Sequence, residues 1–267
     1  MTRTDGRNSG VAMWSAVTAR AKATGNATGM DPGAVIRRFV FQRFLARVFH
    51  EPDAPWVLKG GTAVLARVHG ARTTKDVDLL RQLGDLDAAV AALRAAVAVD
   101  LGDHFRFVIT SVDHSPGGAG QPAVDGLRAA VDAYCGAAKK VTFGVDLVTG
   151  SLMTAAPELL ADPVLDVRGL ETPTLRLYPV VDHIADKLCA TQASYGTTGD
   201  RTSSRVRDLV DLVVFARSQE VDGSALIAAV RGEWTQSGLP GEPVFAPPTV
   251  GSASSRRWRA RCPLSAM

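Results

Sequence analysis

The amino-acid sequence predicts an α+β fold, with a mixed sheet flanked by helices in the N-terminal half and a helical region in the C-terminal half. Residues 75–80 and 140–148 alternate polar and apolar side chains, which is typical of strands with one buried face. Beyond residue 179, apolar residues recur at helical spacing. The 267 residues are 46% hydrophobic and 21% charged, a composition typical of a globular chain with a substantial core.

The first half is predicted to combine helices and short strands. The first 28 or so residues are rich in Gly, Thr and Asn and predict a flexible start, with a possible helix over 11–23. Asp31-Pro32 predicts a helix start, because aspartate caps helices and proline fits the first helical position. The elements expected after it are a helix over 33–50, a strand over 56–59, a turn at Gly60-Gly61, a helix over 62–68, a strand over 75–80, a helix over 85–99, a strand over 105–111, a Gly/Pro loop over 115–122 and a strand over 140–148.

The second half is predicted to be mainly helical. After a last strand over 175–178, Pro179 opens a helix that continues to about residue 193. A flexible loop over 194–204, helices over 205–218 and 224–231, and a Gly/Pro/Ser-rich linker over 237–253 complete the pattern. The predicted units are a flexible N-terminus (1–30), a mixed α/β domain (31–165), a helical domain (166–236) and a linker with a basic tail (237–267), which we expect to be disordered.

Composition excludes several classes of protein. No run of about 18 apolar residues is present, so a transmembrane helix and a membrane partner are not expected. The start of the chain makes a poor secretory signal. Cys135, Cys189 and Cys262 have neither zinc-site nor disulfide spacing, and we expect a cytoplasmic location. A Walker-type phosphate loop is absent as well.

The net charge of +3 is concentrated at the C-terminus. Four arginines lie within the last 18 residues, at positions 256, 257, 259 and 261, and no acidic residue accompanies them. The rest of the chain is about neutral. The tail is suited to contact nucleic acid or an acidic protein surface, but a solvated, disordered chain end is the simpler explanation.

Two carboxylates on one predicted strand form the first candidate site. Side chains two apart on a strand point to the same face, so Asp76 and Asp78 lie side by side. Neighbouring carboxylates repel each other unless a cation lies between them, and oxygen ligands suit Mg²⁺, which completes its shell with water and substrate phosphates. The pair therefore predicts a divalent-cation site.

A glycine pair precedes this strand. Because Gly60 and Gly61 lack Cβ atoms, their backbone amides can approach a phosphate chain at the start of the following helix. Lys59 and Arg72 flank the position with positive charge suited to phosphate oxygens, although Arg72 alternatively braces the turn. Each feature alone is common, but their order, with Gly-Gly, a short helix and Asp-x-Asp on a strand, is much more specific.

This ordered combination resembles the nucleotidyltransferase superfamily with a DNA polymerase β-like palm. Residues 59–63, Lys-Gly-Gly-Thr-Ala, and 72–79, Arg-x-Thr-x-Asp-x-Asp-Leu, resemble its AbiEii branch, which includes MenT-like toxins. Residues 181–190 and 207–212 resemble that branch's later motifs, a helix with a central lysine and a helix that begins Arg-Asp-x-x-Asp-Leu. The resemblance covers roughly residues 35–220 and implies that residues 31–165 form a nucleotidyltransferase palm.

The resemblance also implies roles for individual residues. A third carboxylate is expected on a later strand, and Asp146 is the candidate. Lys187 would hold the triphosphate, and an aspartate of the next helix would orient Lys187 or a nucleotide hydroxyl. Asp208 is preferred to Asp211, which pairs with Arg207 in the alternative interpretation. The candidate residues are thus Asp76, Asp78, Lys187 and Asp208 for catalysis, Asp76, Asp78 and Asp146 for the metal, and Lys59, Gly60, Gly61, Thr62, Arg72 and Asp211 for the nucleotide.

The function implied by the resemblance is that of a Mg²⁺-dependent toxin. It would transfer NMP from an NTP to the 3′ end of tRNA, block translation, and be paired with a cognate antitoxin protein. Two alternatives stay open at this point. In the first, an enzyme with the same fold nucleotidylates or phosphorylates a protein hydroxyl. In the second, a degenerate enzyme binds only a nucleotide or a partner chain.

Overall fold

The computed structural model describes residues 9–68, 70–82, 84–115, 126–195, 201–202 and 206–245. They form a mixed seven-stranded sheet with helices packed against it, which confirms the predicted α+β class. The helices are α1 (Gly10–Thr28), α2 (Pro32–Val48), α3 (Gly60–Arg67), α4 (Leu86–Val97), α5 (Val180–Gln192), α6 (Val206–Ser218) and α7 (Gly223–Gln236). The strands are β1 (Trp56–Lys59), β2 (Asp76–Arg81), β3 (Phe105–Ser115), β4 (Gly126–Cys135), β5 (Ala138–Thr149), β6 (Glu158–Ala161), β7 (Thr174–Leu177), β8 (Ser194–Tyr195) and β9 (Arg201–Thr202).

The large sheet has the strand order β3-β4-β5-β2-β1-β7-β6. Pairing is parallel between β2 and β5 and between β1 and β7, and antiparallel elsewhere in this sheet. In the register, Asp78 of β2 lies opposite Asp146 of β5 on one side and Lys59 of β1 on the other. Three residues distant in sequence thus become neighbours at the centre of the sheet.

The core lies between the sheet and α2. Nearly every side chain in the second half of this helix is buried, and Phe44 contacts Phe107 and Phe143 through its aromatic ring. Val77 and Leu79 of β2 belong to the same core. Because strand side chains alternate, Asp76 and Asp78 point to the opposite face of the sheet. The packing of α2 thereby fixes the side on which the candidate site forms.

The C-terminal helices close the structure near this second face. Tyr178 follows β7 and packs with Val57, Leu80 and Val148, while Phe215 of α6 packs with Val64 and Val180. Strand β7, which lies beyond the predicted domain boundary at residue 165, pairs with β1 and with β6. The helical region is therefore joined to the sheet by a strand as well as by side-chain packing.

Several predicted elements differ in extent from the observed ones. The predicted flexible start is largely occupied by α1, which Ser9 caps and which packs against α2. Gly60 begins α3 rather than forming a separate turn, and α7 is longer than predicted. Strands β4 and β6 were not predicted, and the ends of the predicted loop over 194–204 pair as β8 and β9. Some predicted features lie outside the described residues. They are most of the loop over 115–122, much of the linker over 237–253, the basic tail and Cys262.

Cys135 and Cys189 are free thiols buried in the structure. Among the described residues, we find no helix with the length and apolar character needed to span a membrane.

Candidate active site

A cavity of ≈ 210 Å³ opens where the β1–α3 junction, β2 and β5 face helices α5 and α6. Its lining combines acidic side chains from the sheet with basic side chains from both halves of the chain. The residues that contribute to its wall include Lys59, Gly60, Gly61, Arg72, Thr74, Asp76, Asp78, Asp146, His183, Asp186, Lys187, Arg207 and Asp208. Of the residues that the sequence predicted for the site, Thr62 and Asp211 lie behind this wall.

Three carboxylates share one part of the cavity. The pairing of β2 with β5 brings Asp146 beside Asp78. Asp76 lies two residues before Asp78 on β2 and points to the same face of the sheet. Burial raises the pKa of Asp78 to about 6, and the negative charges of Asp146 and Asp76 contribute to the rise against the opposing charges of Lys187 and Lys59. Burial and the charge of Asp76 likewise raise the pKa of Asp146, against the opposing effect of Arg128. The negative charge at this place is therefore only partly compensated.

Arg128 of β4, which belongs to none of the sequence motifs, faces the same carboxylates. Its Nη1 donates to both oxygens of Asp146 at 2.9 and 2.8 Å, and its Nη2 donates to Asp76. Gly144 lies beside the guanidinium, and a Cβ at Gly144 would come within 2.3 Å of Nη2. The bridge thus depends on the absence of a side chain at Gly144.

The backbone at the start of α3 closely approaches the carboxylates. Gly60 has φ = +59°, and a Cβ there would lie 1.9 Å from Oδ2 of Asp78. Only glycine combines this backbone conformation with such a close approach. Behind it, the hydroxyls of Thr62 and Thr74 donate to the carbonyl oxygen of Asp76, at 2.8 and 3.2 Å. These contacts fix α3 against the beginning of β2.

Lys59 is held tightly by its neighbours. Its Nζ lies 2.8 Å from Asp186, 2.9 Å from the hydroxyl of Ser151 and 4.2 Å from the centre of the Tyr178 ring. The side chain is buried yet borders the cavity. Asp186, which is not among the residues predicted for the site, therefore fixes the position of a predicted phosphate-binding lysine.

Lys187 is the centre of a second ionic cluster. Its Nζ donates to Asp208 at 2.9 Å and to Asp211 at 2.8 Å, and Arg72 donates to both oxygens of Asp211 at 2.9 and 2.7 Å. Burial lowers the pKa of Lys187, but Asp208 and Asp211 outweigh this effect and the pKa is raised, so Lys187 is cationic. Asp211 pairs with Arg72 and Lys187, which differs from the pairing with Arg207 considered in the sequence analysis.

His183 lies one helical turn before Lys187 and lines the same cavity. Neither ring nitrogen has a hydrogen-bond partner among the described residues, and the ring packs between Tyr178 and Phe215. Burial, followed by the charge of Lys187, lowers the pKa of His183 well below its usual range. The imidazole is therefore neutral and does not add to the positive charge of the cavity.

The three carboxylates, Asp76, Asp78 and Asp146, are chemically suited to bind a hard divalent cation. All of its potential ligands are oxygens, and their mutual repulsion would be relieved by a bound positive charge. Within the described ranges, no group of three or more His, Cys, Asp or Glu side chains is arranged as a metal site. The guanidinium of Arg128 bridges Asp76 and Asp146 instead.

Clustered carboxylates on the central strands, a facing helix start and two buried lysines are suited to an enzyme that acts on nucleotides. The family model described as "Nucleotidyl transferase AbiEii toxin, Type IV TA system" matches residues 43–262. The chain therefore belongs to the AbiEii family and is a nucleotidyltransferase toxin of a type IV toxin–antitoxin system. Family membership implies a nucleotide substrate and an antitoxin partner.

The solved structures to which this chain is similar are distant in sequence. The nucleotidyltransferase toxin MenT4 of Mycobacterium tuberculosis is 18% identical, with a TM-score of 0.54 over 92% of this chain and 87% of that chain. JHP933 of Helicobacter pylori is 15% identical, with a TM-score of 0.44 over 78% of this chain and 81% of that chain. No significant match is found among curated protein sequences. MenT4 thus supports the fold alone.

Proposed function

We propose that this nucleotidyltransferase transfers NMP from a Mg²⁺-bound NTP to the 3′ end of tRNA and thereby blocks translation. One observation carries the enzymatic part of the proposal. Asp76, Asp78 and Asp146 share a cavity with the start of α3 and with buried lysines from both halves of the chain. Such a cavity supplies ligands for a cation and partners for a triphosphate at the same place.

Asp76, Asp78 and Asp146 would hold the divalent cation. When bound, it would supply positive charge to the α-phosphate and to the attacking and leaving oxygens. The raised pKa values of Asp78 and Asp146, caused first by burial and then by neighbouring carboxylates, support this assignment. We expect Mg²⁺ because an all-oxygen ligand set, completed by substrate phosphates, is its usual protein environment.

The basic side chains and the start of α3 would bind the triphosphate. The N–H groups at the start of α3 and the ammonium groups of Lys59 and Lys187 would donate to its oxygens. An acceptor hydroxyl attacks the α-phosphorus and loses its proton, the bond to the bridging oxygen of the β-phosphate breaks, and pyrophosphate leaves. Positive groups that are already held in place stabilise the negative charge that develops in this step.

The acceptor is proposed from family membership. A tRNA acceptor, inhibition of translation, a cytoplasmic location and a cognate antitoxin agree with a type IV toxin–antitoxin system. The chain has a net charge of only +3, so a tRNA would be bound through local contacts rather than through a strongly basic surface. The division into a palm (31–165) and a helical domain (166–236) belongs to the same proposal.

The test is to incubate the protein with Mg²⁺, total tRNA and each α-³²P-labelled NTP in turn, and to separate the products on a denaturing gel. We expect label on tRNA, at least 100-fold less with the Asp78→Asn variant, and an unchanged amount with the control Asp53→Asn, whose side chain is exposed. Label on a protein band would indicate modification of a protein hydroxyl. If neither RNA nor protein were labelled, transfer to tRNA would be the wrong proposal.

A further inference from the structure

Arg128 occupies a position that the proposed reaction leaves unexplained. Its guanidinium bridges Asp76 and Asp146, two of the three carboxylates to which we assign the divalent cation. A guanidinium and a metal ion cannot both lie between the same oxygens. Binding of a cation there therefore requires that Arg128 leave at least one of its two partners.

The structure is arranged to accommodate this bridge. Gly144 lies opposite Asp76 in the β2–β5 pairing and opposite Ala130 in the β4–β5 pairing, so it lies between the strand that carries Arg128 and the strand that carries Asp76. A Cβ at Gly144 would come within 2.3 Å of Nη2 of Arg128 and within 2.8 Å of Oδ1 of Asp76. Glycine at this position in the middle of β5 leaves the space that the guanidinium fills.

The bridge is also placed where it can open. The Arg128 side chain is 46% exposed, and that of Asp76 is 37% exposed, in contrast to the buried Lys187 cluster. Arg128 also borders a second, open cavity along β3, β4 and β5, lined in part by Lys75, Ser111 and Asp113. An arginine that leaves the carboxylates thus has room on the side away from the first cavity.

We propose that Arg128 is an internal counter-ion that competes with the divalent cation for Asp76 and Asp146 and so weakens metal binding by the free enzyme. This inference rests on the assignment of the metal to Asp76, Asp78 and Asp146. In the absence of metal, Arg128 keeps the carboxylates from repelling one another and holds β4 against β5 and β2. The metal binds only by displacing it. Arg128 is therefore a positioning residue, because it acts on the metal only through Asp76 and Asp146.

Mn²⁺ binding to the nucleotide-free protein tests this inference without measuring activity. The bound and free ion can be counted by electron paramagnetic resonance. We expect Arg128→Gln to bind Mn²⁺ about tenfold more tightly than the wild-type protein, because the competing charge is gone. Arg128→Lys should lie in between, since an ammonium group is not suited to bridging two carboxylates as a planar guanidinium does. Arg106→Gln is the matched control, an exposed strand arginine over Tyr134 that should leave Mn²⁺ affinity unchanged.

Thermal stability gives a second readout. Without metal, Arg128→Gln should melt at a lower temperature than the wild-type protein, because Asp76 and Asp146 are left without their bridge. Saturating Mn²⁺ should then raise the melting temperature of Arg128→Gln more than that of the wild-type protein. A structural role alone would lower the melting temperature equally with and without Mn²⁺.

The Asp78→Asn variant separates the two proposals. If the wild-type protein binds Mn²⁺, Asp78→Asn does not, and Arg128→Gln binds no more tightly than wild type, the counter-ion inference is overturned while the metal site stands. Weaker binding by Arg128→Gln would overturn it as well, and would show that Arg128 assists the metal. If neither wild type nor Arg128→Gln shows Mn²⁺ binding that depends on Asp78, the assignment of the metal site itself is wrong.

Discussion

Lys187 interacts with two aspartates, Asp208 and Asp211, whose surroundings differ. Asp211 is completely buried and is shared by Lys187 and Arg72, whereas Asp208 is partly exposed and borders the cavity. A buried carboxylate between two cations contributes mainly to the integrity of the fold. An aspartate at the cavity wall is placed to act on a bound nucleotide. The structure therefore favours a structural role for Asp211 and keeps Asp208 as the candidate for the reaction.

We predict that Asp211→Asn destabilises the protein more than Asp208→Asn does. Removal of the charge of Asp211 leaves Arg72 and Lys187 facing each other, and breaking a buried ion pair costs about 3 kcal/mol or more. That corresponds to a fall in melting temperature of roughly 6 to 12 °C, measured by thermal denaturation. Asp208→Asn should lower it by less than half as much while still reducing transfer to tRNA. Equal losses of stability would contradict this division of roles.

The sequence identified most residues of the candidate site, because they lie in short motifs. The order Gly-Gly followed by Asp-x-Asp places Gly60, Asp76 and Asp78 without knowledge of the fold. Arg128 and Asp186 were missed for a physical reason. They join the site through the pairing of β4 with β5 and through the ion pair between Asp186 of α5 and Lys59 of β1. Such long-range contacts leave no local pattern.

At the scale of elements, the junction between β1 and α3 is the most constrained backbone of the site. We predict that Gly60→Ala abolishes transfer activity, whereas Gly29→Ala does not. Both glycines have a positive φ, +59° and +73°, so alanine costs about 1 kcal/mol of backbone strain at each. Only at Gly60 would the new Cβ also displace Asp78, since a Cβ at Gly29 has no heavy atom within 4 Å. If Gly60→Ala retained activity, the close approach would not matter for the reaction.

Helices α5 and α7 enclose a glutamate whose titration should affect stability. Glu233 of α7 is buried, and burial together with the charge of Asp186 raises its pKa from 4.5 to about 7. Because the folded state holds the proton more tightly than the unfolded state, this group makes folding less favourable as pH rises from about 4.5 to 7. Above pH 7 its contribution no longer changes.

We therefore predict that Glu233→Gln reduces the loss of stability between pH 5 and pH 7.5. A shift of this size is worth at most about 3 kcal/mol, so the melting temperatures of wild type and variant should move apart by about 5 °C over this range. Thermal denaturation at several pH values gives the comparison, and the exposed Glu220→Gln serves as control. Parallel curves for wild type and Glu233→Gln would show that this glutamate titrates normally.

Most helices and strands were predictable from periodicity, and the exceptions have particular causes. Strand β4 carries three alanines and a Gly, a composition that does not suggest a strand, although its buried residues include Leu127, Ala129, Val131 and Ala133 in alternation. Residues 10–28 are rich in small side chains, yet Gly10 fits against Gly136 so closely that a Cβ there would lie 2.4 Å from its Cα. Tertiary packing thus determines both elements more than local preference does.

At the scale of the whole molecule, the site is assembled from parts of the chain that are far apart. Asp76, Asp78 and Asp146 come from the centre of the sheet, whereas Lys187 and Asp208 come from α5 and α6. Two ionic links connect these parts, Lys59 with Asp186 and Arg72 with Asp211. Each link joins the region before β3 to a C-terminal helix. A nucleotide bound between these two regions should therefore stabilise both of them against local opening.

We predict that a non-hydrolysable NTP with Mg²⁺ slows backbone hydrogen exchange in residues 58–67 and in residues 180–192 at the same ligand concentration. Binding stabilises the folded state over local openings, and the ionic links make those openings shared. Hydrogen–deuterium exchange with mass spectrometry measures both segments in one experiment, and α4 (86–97), which does not line the cavity, serves as internal reference. Asp78→Asn should weaken the protection of both segments equally. Protection confined to 58–67 would show that α5 takes no part in binding the nucleotide, and Lys187 would then be a structural residue.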